Sequence, residues 1–105
     1  MIVHRYEHKY TGEGPYSGVH MVDYLLADHN ARQHGDRPVL DPYTEETLKY
    51  GCVSAAALDE WFEGWEELLQ QRGFVKVQFI VPDDEVIYGE DGMQCAFPET
   101  IGEYV

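Results

Sequence analysis

Six large apolar residues between Ser54 and Arg72 constrain the fold more than any other feature of this sequence. They recur at the i, i+3, i+4, i+7, i+10 and i+11 spacing, which places them in one stripe along an α-helix. They are Leu58, Trp61, Phe62, Trp65, Leu68 and Leu69. Ser54 is a favourable N-cap and Gly73 stands where helices often end, so the pattern predicts an amphipathic helix over 54–72. Gly64 keeps a second interpretation open, two shorter helices with a break, because glycine inside a helix costs about 1 kcal/mol relative to alanine.

Three segments have the composition of β-strands. Ile2 to His8 is rich in β-branched and aromatic residues, and Phe74 to Val81 alternates apolar with polar side chains. Glu85 to Tyr88 and Met93 to Phe97 flank residues 89–92, a loop of glycine and acidic residues that favours a tight turn. The pattern therefore predicts a first strand, a strand after the helix and a terminal hairpin.

Two more helical segments are predicted in the first half of the chain. Ser17 can cap a helix from about Val19 to His29, and Thr44 can cap one short helical turn that ends at Gly51. Together these elements predict an α+β fold, a small antiparallel sheet of three or four strands with two or three helices packed on it. With 105 residues and no linker, the chain is expected to form a single domain over 1–105.

Acidic residues outnumber basic ones, and the excess lies in the second half of the chain. The sequence has 20 Asp and Glu against 7 Lys and Arg, a formal net charge of −13. Residues 1–52 hold eight carboxylates and five cations, whereas residues 53–105 hold twelve carboxylates and two cations. A surface this acidic repels phosphate, so direct binding to nucleic acid or to an anionic membrane is disfavoured.

Ten carboxylates of the second half are the predicted partner-binding residues. They are Asp59, Glu60, Glu63, Glu66, Glu67, Asp83, Asp84, Glu85, Glu90 and Asp91. In one continuous helix the first five would repel one another at i+3 and i+4 spacings, each pair costing about 0.2–0.5 kcal/mol. They would also lie beyond the first turn of the helix, and it is only in that first turn that the helix dipole favours carboxylates. If helix and hairpin share a side, the ten imitate a phosphate backbone, and the predicted partner is a basic nucleic-acid-binding protein or complex. The alternative is a solvated face that keeps the chain soluble.

No motif in the chain has the spacing of a metal, cofactor or catalytic site. The five histidines show no metal-ligand spacing, and Cys52 and Cys95 form no C-x-x-C pair. Ser17 and Ser54 both stand at helix caps, outside any G-x-S-x-G turn. We therefore predict no metal, no cofactor and no catalytic residue, and we expect a cytosolic protein, because no apolar run reaches the ~18 residues that a membrane span needs. The oligomeric state stays open.

A set of short motifs resembles a pattern found in small proteins of tailed phages and prophages. The set consists of Arg5-Tyr6-Glu7, Gly12-Glu13-Gly14-Pro15-Tyr16-Ser17-Gly18, Leu58 with Trp61-Phe62, Leu68, Gly73-Phe74, and Gln94 with Phe97. The resemblance spans most of the chain and implies a viral accessory protein acting in a bacterial cytoplasm. Acidic phage proteins of this size include anti-CRISPR and anti-restriction inhibitors. The leading hypothesis is therefore a non-enzymatic inhibitor that mimics nucleic acid and binds a host defence complex.

A second outline is similar to small ADP-ribosyltransferase-like domains. It consists of a first strand carrying His4-Arg5 and a late strand entered at Gln94. Gln94 stands where the catalytic Glu of that family is expected, and the Ser-Thr-Ser triplet is missing from the sequence. The alternative function is thus an ADP-ribosyltransferase-like protein, catalytic or not, that modifies or binds a host protein.

Overall fold

The computed structural model describes residues 1–12, 14–15, 48–90 and 92–105. The helix predicted over 19–29, its cap Ser17 and the acidic residue Asp91 lie outside the described residues.

The described residues form a six-stranded sheet. Its strands are β1 (Ile2–His8), β2 (Leu48–Cys52), β3 (Phe74–Ile80), β4 (Ile87–Tyr88), β5 (Gln94–Pro98) and β6 (Glu103–Tyr104). They lie in the order β4-β5-β2-β1-β3-β6, and each neighbouring pair is antiparallel. The predictions of the first strand, of the strand after the helical segment and of the terminal hairpin are confirmed.

Two short helices stand where one long helix was considered. They are α1 (Ala55–Trp61) and α2 (Glu66–Gln71). Between them Gly64 adopts a φ of 84°, a left-handed conformation that an α-helix cannot contain. The two-helix interpretation is therefore confirmed. The N-cap prediction is also confirmed, because Ser54 Oγ accepts a hydrogen bond from the Ala57 N–H at 3.0 Å.

The predicted fold class is wrong, because the described residues form six strands with two short helices instead of three or four strands with two or three helices. The helical turn predicted to end at Gly51 is one source of the error, since Leu48–Cys52 is strand β2 and pairs along its length with β5. Gly51 does not end a helix; it allows β1 and β2 to approach each other closely. A Cβ atom there would lie 2.6 Å from Val3 Cγ1 and 2.7 Å from the His4 carbonyl oxygen.

The pleat of β1 divides the buried side chains between two faces of the sheet. On the face that α1 and α2 cover, Tyr6 packs in a cluster with Leu58, Trp61 and other apolar residues. On the opposite face, Val3 packs with a cluster that includes Phe79. We call these the helix face and the opposite face. No described helix is long and apolar enough to span a membrane.

Candidate functional site

Five of the predicted binding residues lie in the helical segment, and we call them the helical acidic group. They are Asp59, Glu60, Glu63, Glu66 and Glu67. The side chain of Glu66 is half-buried and the other four are exposed. The apolar stripe explains this exposure, because the buried residues Leu58 and Leu69 hold the other side of the segment against the sheet.

One member of the helical acidic group is neutralised by a neighbour. Asp59 Oδ1 lies 2.5 Å from Lys76 Nζ in an ion pair that joins α1 to β3. Both side chains are about half exposed, and the hydrogen bond to Asp59 raises the pKa of Lys76. Within the described residues, the other four carboxylates form no ion pair.

The break between the helices changes the energetics expected for this group. Glu63 lies in the break, so Asp59, Glu63 and Glu67 do not follow one another on a continuous helix. Glu66 and Glu67 occupy the first turn of α2, where the helix dipole stabilises negative charge. The prediction that the helix dipole does not favour Glu66 and Glu67 is therefore wrong. Glu60 and Glu63 are exposed and gain no such stabilisation, because neither lies in the first turn of a helix.

The other predicted binding residues surround the β4–β5 hairpin, and we call them the hairpin acidic group. The described members are Asp83, Asp84, Glu85 and Glu90. Residues 83–85 form a 3₁₀ turn, and Asp83 Oδ1 lies 2.9 Å from the amino group of Met1. Glu90 is exposed in the hairpin turn.

The helical acidic group and the 3₁₀ turn that carries Asp83, Asp84 and Glu85 are anchored in different apolar clusters. The helices cover the helix face, whereas the connection from β3 to β4 places Val81 and Val86 in the cluster of the opposite face. Asp83, Asp84 and Glu85 are therefore anchored separately from the helical acidic group.

A buried ionic cluster on the opposite face escaped the sequence analysis. Glu7 is 3% exposed and is approached by three side chains. Lys49 Nζ lies 2.8 Å from Glu7 Oε1, Arg5 Nε lies 3.2 Å from the same oxygen, and Tyr104 Oη donates to Glu7 Oε2 at 2.6 Å. This donation raises the pKa of Tyr104 to about 12, whereas burial lowers the pKa of Arg5. One signal was present in the sequence: Val3, Arg5 and Glu7 occupy every second position of a strand, which places all three on the same side.

A cavity of about 440 Å³ lies beside β1 and β2 and is lined by residues of the helix face together with Arg5 and Lys49. Its lining includes the aromatic rings of Tyr6, Trp61 and Phe62 and the buried Gln94. Arg5 Nη1 donates a hydrogen bond to the Tyr50 carbonyl oxygen at 3.2 Å, which joins β1 to β2. The cavity combines apolar walls with polar side chains.

The residues that suggested an ADP-ribosyltransferase-like outline lie on neighbouring strands. His4 pairs with Cys52, which pairs with Gln94. Arg5, however, belongs to the buried ionic cluster, and Gln94 is 4% exposed.

The cysteines Cys52 and Cys95 are free thiols buried in the two apolar clusters. Burial raises the pKa of Cys95 to about 12, so its thiol is protonated and weakly nucleophilic. In the parts of the chain that the structure describes, no three His, Cys, Asp or Glu residues converge in an arrangement that could hold a metal ion.

Comparison with known proteins defines the class of this chain as bacteriophage protein. A family model matches residues 1–104, almost the entire sequence. The chain belongs to this family, whose model is described as Bacteriophage T4 Y00F protein. The expected resemblance to small phage proteins is thereby confirmed, while similarity to anti-CRISPR inhibitors or to ADP-ribosyltransferases is not shown by this match. No curated protein and no solved structure matches the chain.

Proposed function

We propose that this member of a phage family is a non-enzymatic anti-defence protein of the anti-CRISPR or anti-restriction type. It acts in the host bacterial cytoplasm, where its acidic surface occupies the basic nucleic-acid-binding surface of a host defence complex. Family membership supports the phage origin, and the charge of the second half supports the chemistry of the partner.

The observation that carries this proposal is the set of exposed carboxylates at Glu60, Glu63 and Glu67, which form no ion pair within the described residues. Buried contacts of Leu58 and Leu69 hold the helices that carry them. Carboxylates held on anchored elements lose little conformational freedom on binding and attract Lys- and Arg-rich grooves at long range. We assign the primary contact to the helical acidic group.

The hairpin acidic group has a supporting role in this proposal. Its residues add to the negative field that steers a cationic partner toward the protein, although Asp83, Asp84 and Glu85 are anchored in the cluster of the opposite face. Asp83 is already paired with the Met1 amino group, which leaves Asp84, Glu85 and Glu90 as the charges available for long-range attraction.

The alternative of an ADP-ribosyltransferase-like protein has weaker support. Arg5 is held in the ionic cluster with Glu7, and the amide of Gln94 cannot serve as a carboxylate base. We therefore do not propose group transfer.

Two variants with equal charge change test the assignment. The helical variant carries Glu60→Gln, Glu63→Gln and Glu67→Gln, and the hairpin variant carries Asp84→Asn, Glu85→Gln and Glu90→Gln. Each is expressed in bacteria that carry a restriction or CRISPR system, and the efficiency of plating of a phage sensitive to that system is measured.

The wild type is expected to raise the efficiency of plating, the helical variant to lose this effect, and the hairpin variant to keep most of it. Thermal unfolding of the purified variants establishes that both fold. Absence of any rise with the wild type would contradict the anti-defence proposal. Equal loss in both variants would show that net charge alone matters and would contradict the assignment to the helical acidic group.

A further inference from the structure

Strand β3 is fully paired on one of its two sides. β1 pairs with it along its whole length, whereas β6 pairs with it at Phe79 and Ile80. A hydrogen bond of 3.1 Å from the Val105 N–H to the Gln78 carbonyl oxygen extends the contact with β6 by one residue. In the described part of the chain, no strand lies beside the outer edge of β3 before Gln78. We call this stretch, residues 75–77, the open edge.

The backbone of Lys76 points outward at the open edge. The Gln78 carbonyl faces β6, and backbone groups two residues apart in an antiparallel strand point to the same side. The Gly73 carbonyl, an odd number of residues away, points the other way and accepts from the Lys9 N–H at 3.0 Å. Among the described residues, the Lys76 N–H and C=O have no backbone partner on the outer side. Unpaired groups of this kind are a template for a further strand.

The open edge is exposed and is not covered by a charged side chain. Val75 is 43% exposed, and Lys76 and Gln78 are exposed as well. Lysine on an edge strand often hinders pairing with other chains. Here the Lys76 ammonium group is bound to Asp59 on α1, which holds it over the helix face. The edge is therefore accessible to an extended peptide.

The side chains that flank Lys76 favour apolar residues in such a peptide. Val75 and Val77 lie on the opposite face, where they border a groove of about 400 Å³ together with Tyr104. A residue directly across from either valine in an added strand would have its Cβ atom about 4.5–5.5 Å away. Two alternating residues of the peptide would thus stand at the groove, and apolar side chains there would bury surface of both valines.

The charge of the protein selects the kind of partner. A second copy would carry the same formal net charge of −13 and would be repelled, whereas a basic segment would be attracted. The position of β6 sets the direction, because a strand that continues its line runs antiparallel to β3.

We propose that the open edge binds an extended, basic segment of another protein as an additional antiparallel strand. One peptide residue exchanges both backbone hydrogen bonds with Lys76, and its two neighbours place apolar side chains beside Val75 and Val77. Pairing of this kind is a common mode of peptide recognition. The proposal does not depend on the proposed anti-defence function, because β3 carries it and a peptide alone measures it.

Three synthetic peptides test the proposal on the full chain. The first is acetyl-Val-Thr-Val-Lys-Lys-amide, whose threonine is designed to lie opposite Lys76. The second is N-methylated at the threonine, which removes the N–H that faces β3. The third is N-methylated at the second valine, whose N–H faces away from β3. Binding is followed by the amide NMR signals of Val75, Lys76 and Val77 and by hydrogen exchange of the Lys76 amide.

Without peptide, the Lys76 amide is expected to exchange faster than those of Val75 and Val77, which face β1. The first peptide should slow this exchange. Methylation at the threonine should weaken binding by about tenfold or more, and methylation at the valine should change it by less than about twofold. No shift of the Lys76 signal with the first peptide, or equal binding of the two methylated peptides, would overturn the proposal. Protection of Lys76 that grows with protein concentration in the absence of peptide would also overturn it, since a second copy would then occupy the edge.

Two variants of β3 test the role of the apolar side chains. Val75→Thr keeps the shape of the side chain and should weaken binding of the first peptide by about three- to tenfold. Ile80→Thr is the matched control, because Ile80 is also exposed but lies where β6 already pairs with β3, so binding should be unchanged. Both residues are exposed, so both variants are expected to fold, and thermal unfolding checks this. Equal weakening by the two variants would contradict the assignment of the peptide to the open edge.

Discussion

Tyr104 donates a hydrogen bond of 2.6 Å to Glu7, and this contact joins the two ends of the chain across 97 positions. Glu7 lies on β1 and Tyr104 on β6, and β3 stands between them in the sheet. The Tyr104 ring also packs against Phe79, with centroids 4.3 Å apart. The last strand is therefore held by contacts of the Tyr104 side chain with Glu7, Phe79 and Lys49 in addition to its short backbone pairing.

Replacing Tyr104 with Phe should lower the free energy of unfolding by about 1–2 kcal/mol. The ring contact is kept, but the buried Glu7 carboxylate loses one of its two hydrogen-bond donors, the other being Lys49. Urea denaturation of the variant measures the loss. Tyr88→Phe is the matched control, because the Tyr88 hydroxyl is exposed and contacts the Met1 sulfur at 3.4 Å, a weak acceptor. A loss of similar size in both variants would contradict a special role for the bond to Glu7.

The contribution of Tyr104 should disappear at alkaline pH. Its pKa in the folded protein is about 12, above the ordinary value of 10.0, so the folded state holds a proton that the unfolded chain releases. This stabilisation is fully present below pH 10 and is lost as the pH rises toward about 12. The difference in unfolding free energy between wild type and Tyr104→Phe should therefore shrink across this window. A constant difference would show that the hydroxyl does not couple to Glu7.

Gly64→Ala should destabilise the protein by about 1 kcal/mol. The φ of 84° at this position strains an L-residue, whereas a Cβ atom there meets nothing within 4 Å, so the cost is one of backbone conformation. If residues 54–72 formed one continuous helix, Gly64→Ala would instead raise the free energy of unfolding by about 1 kcal/mol. Thermal or urea unfolding decides between them, and Gly64→Asn should cost less because asparagine tolerates this conformation better.

Lys76→Gln should change the free energy of unfolding by less than about 1 kcal/mol. Its ion pair with Asp59 is half exposed on both sides, and such pairs contribute little because solvent and salt screen them. The effect should become smaller still when unfolding is measured at high salt. A large loss that persists at high salt would indicate that this pair is a principal link between α1 and β3.

The local sequence pattern predicted an element correctly where apolar and polar residues repeat at a regular spacing along the segment. The apolar stripe around Leu58 and Leu69 reports one buried side, and the alternation in Phe74–Ile80 indicated a strand, although its buried residues Phe74 and Phe79 pack on different faces of the sheet. The exposure of the acidic residues in this segment was predicted for the same reason, because carboxylates remain in solvent on the side opposite the buried apolar stripe.

Pairing between distant segments was not visible in local pattern. β2 forms because Leu48–Cys52 pairs with Gln94–Pro98, and β6 has two residues that are held by β3 and Glu7. These contacts depend on which strands become neighbours, so local propensity suggested a helical turn at β2 and nothing at β6.

The sequence by itself determined the charge of this protein and its family, which depend only on residue identities along the chain. It also predicted the hairpin and the side of the helical segment that faces solvent, because both depend on residues close together in the chain. Tertiary structure alone decided that Arg5, Glu7, Lys49 and Tyr104 meet in one cluster and that Tyr6 borders a cavity. The physical reason is the strand order, which places β1 between β2 and β3 and brings residues from both ends of the chain together.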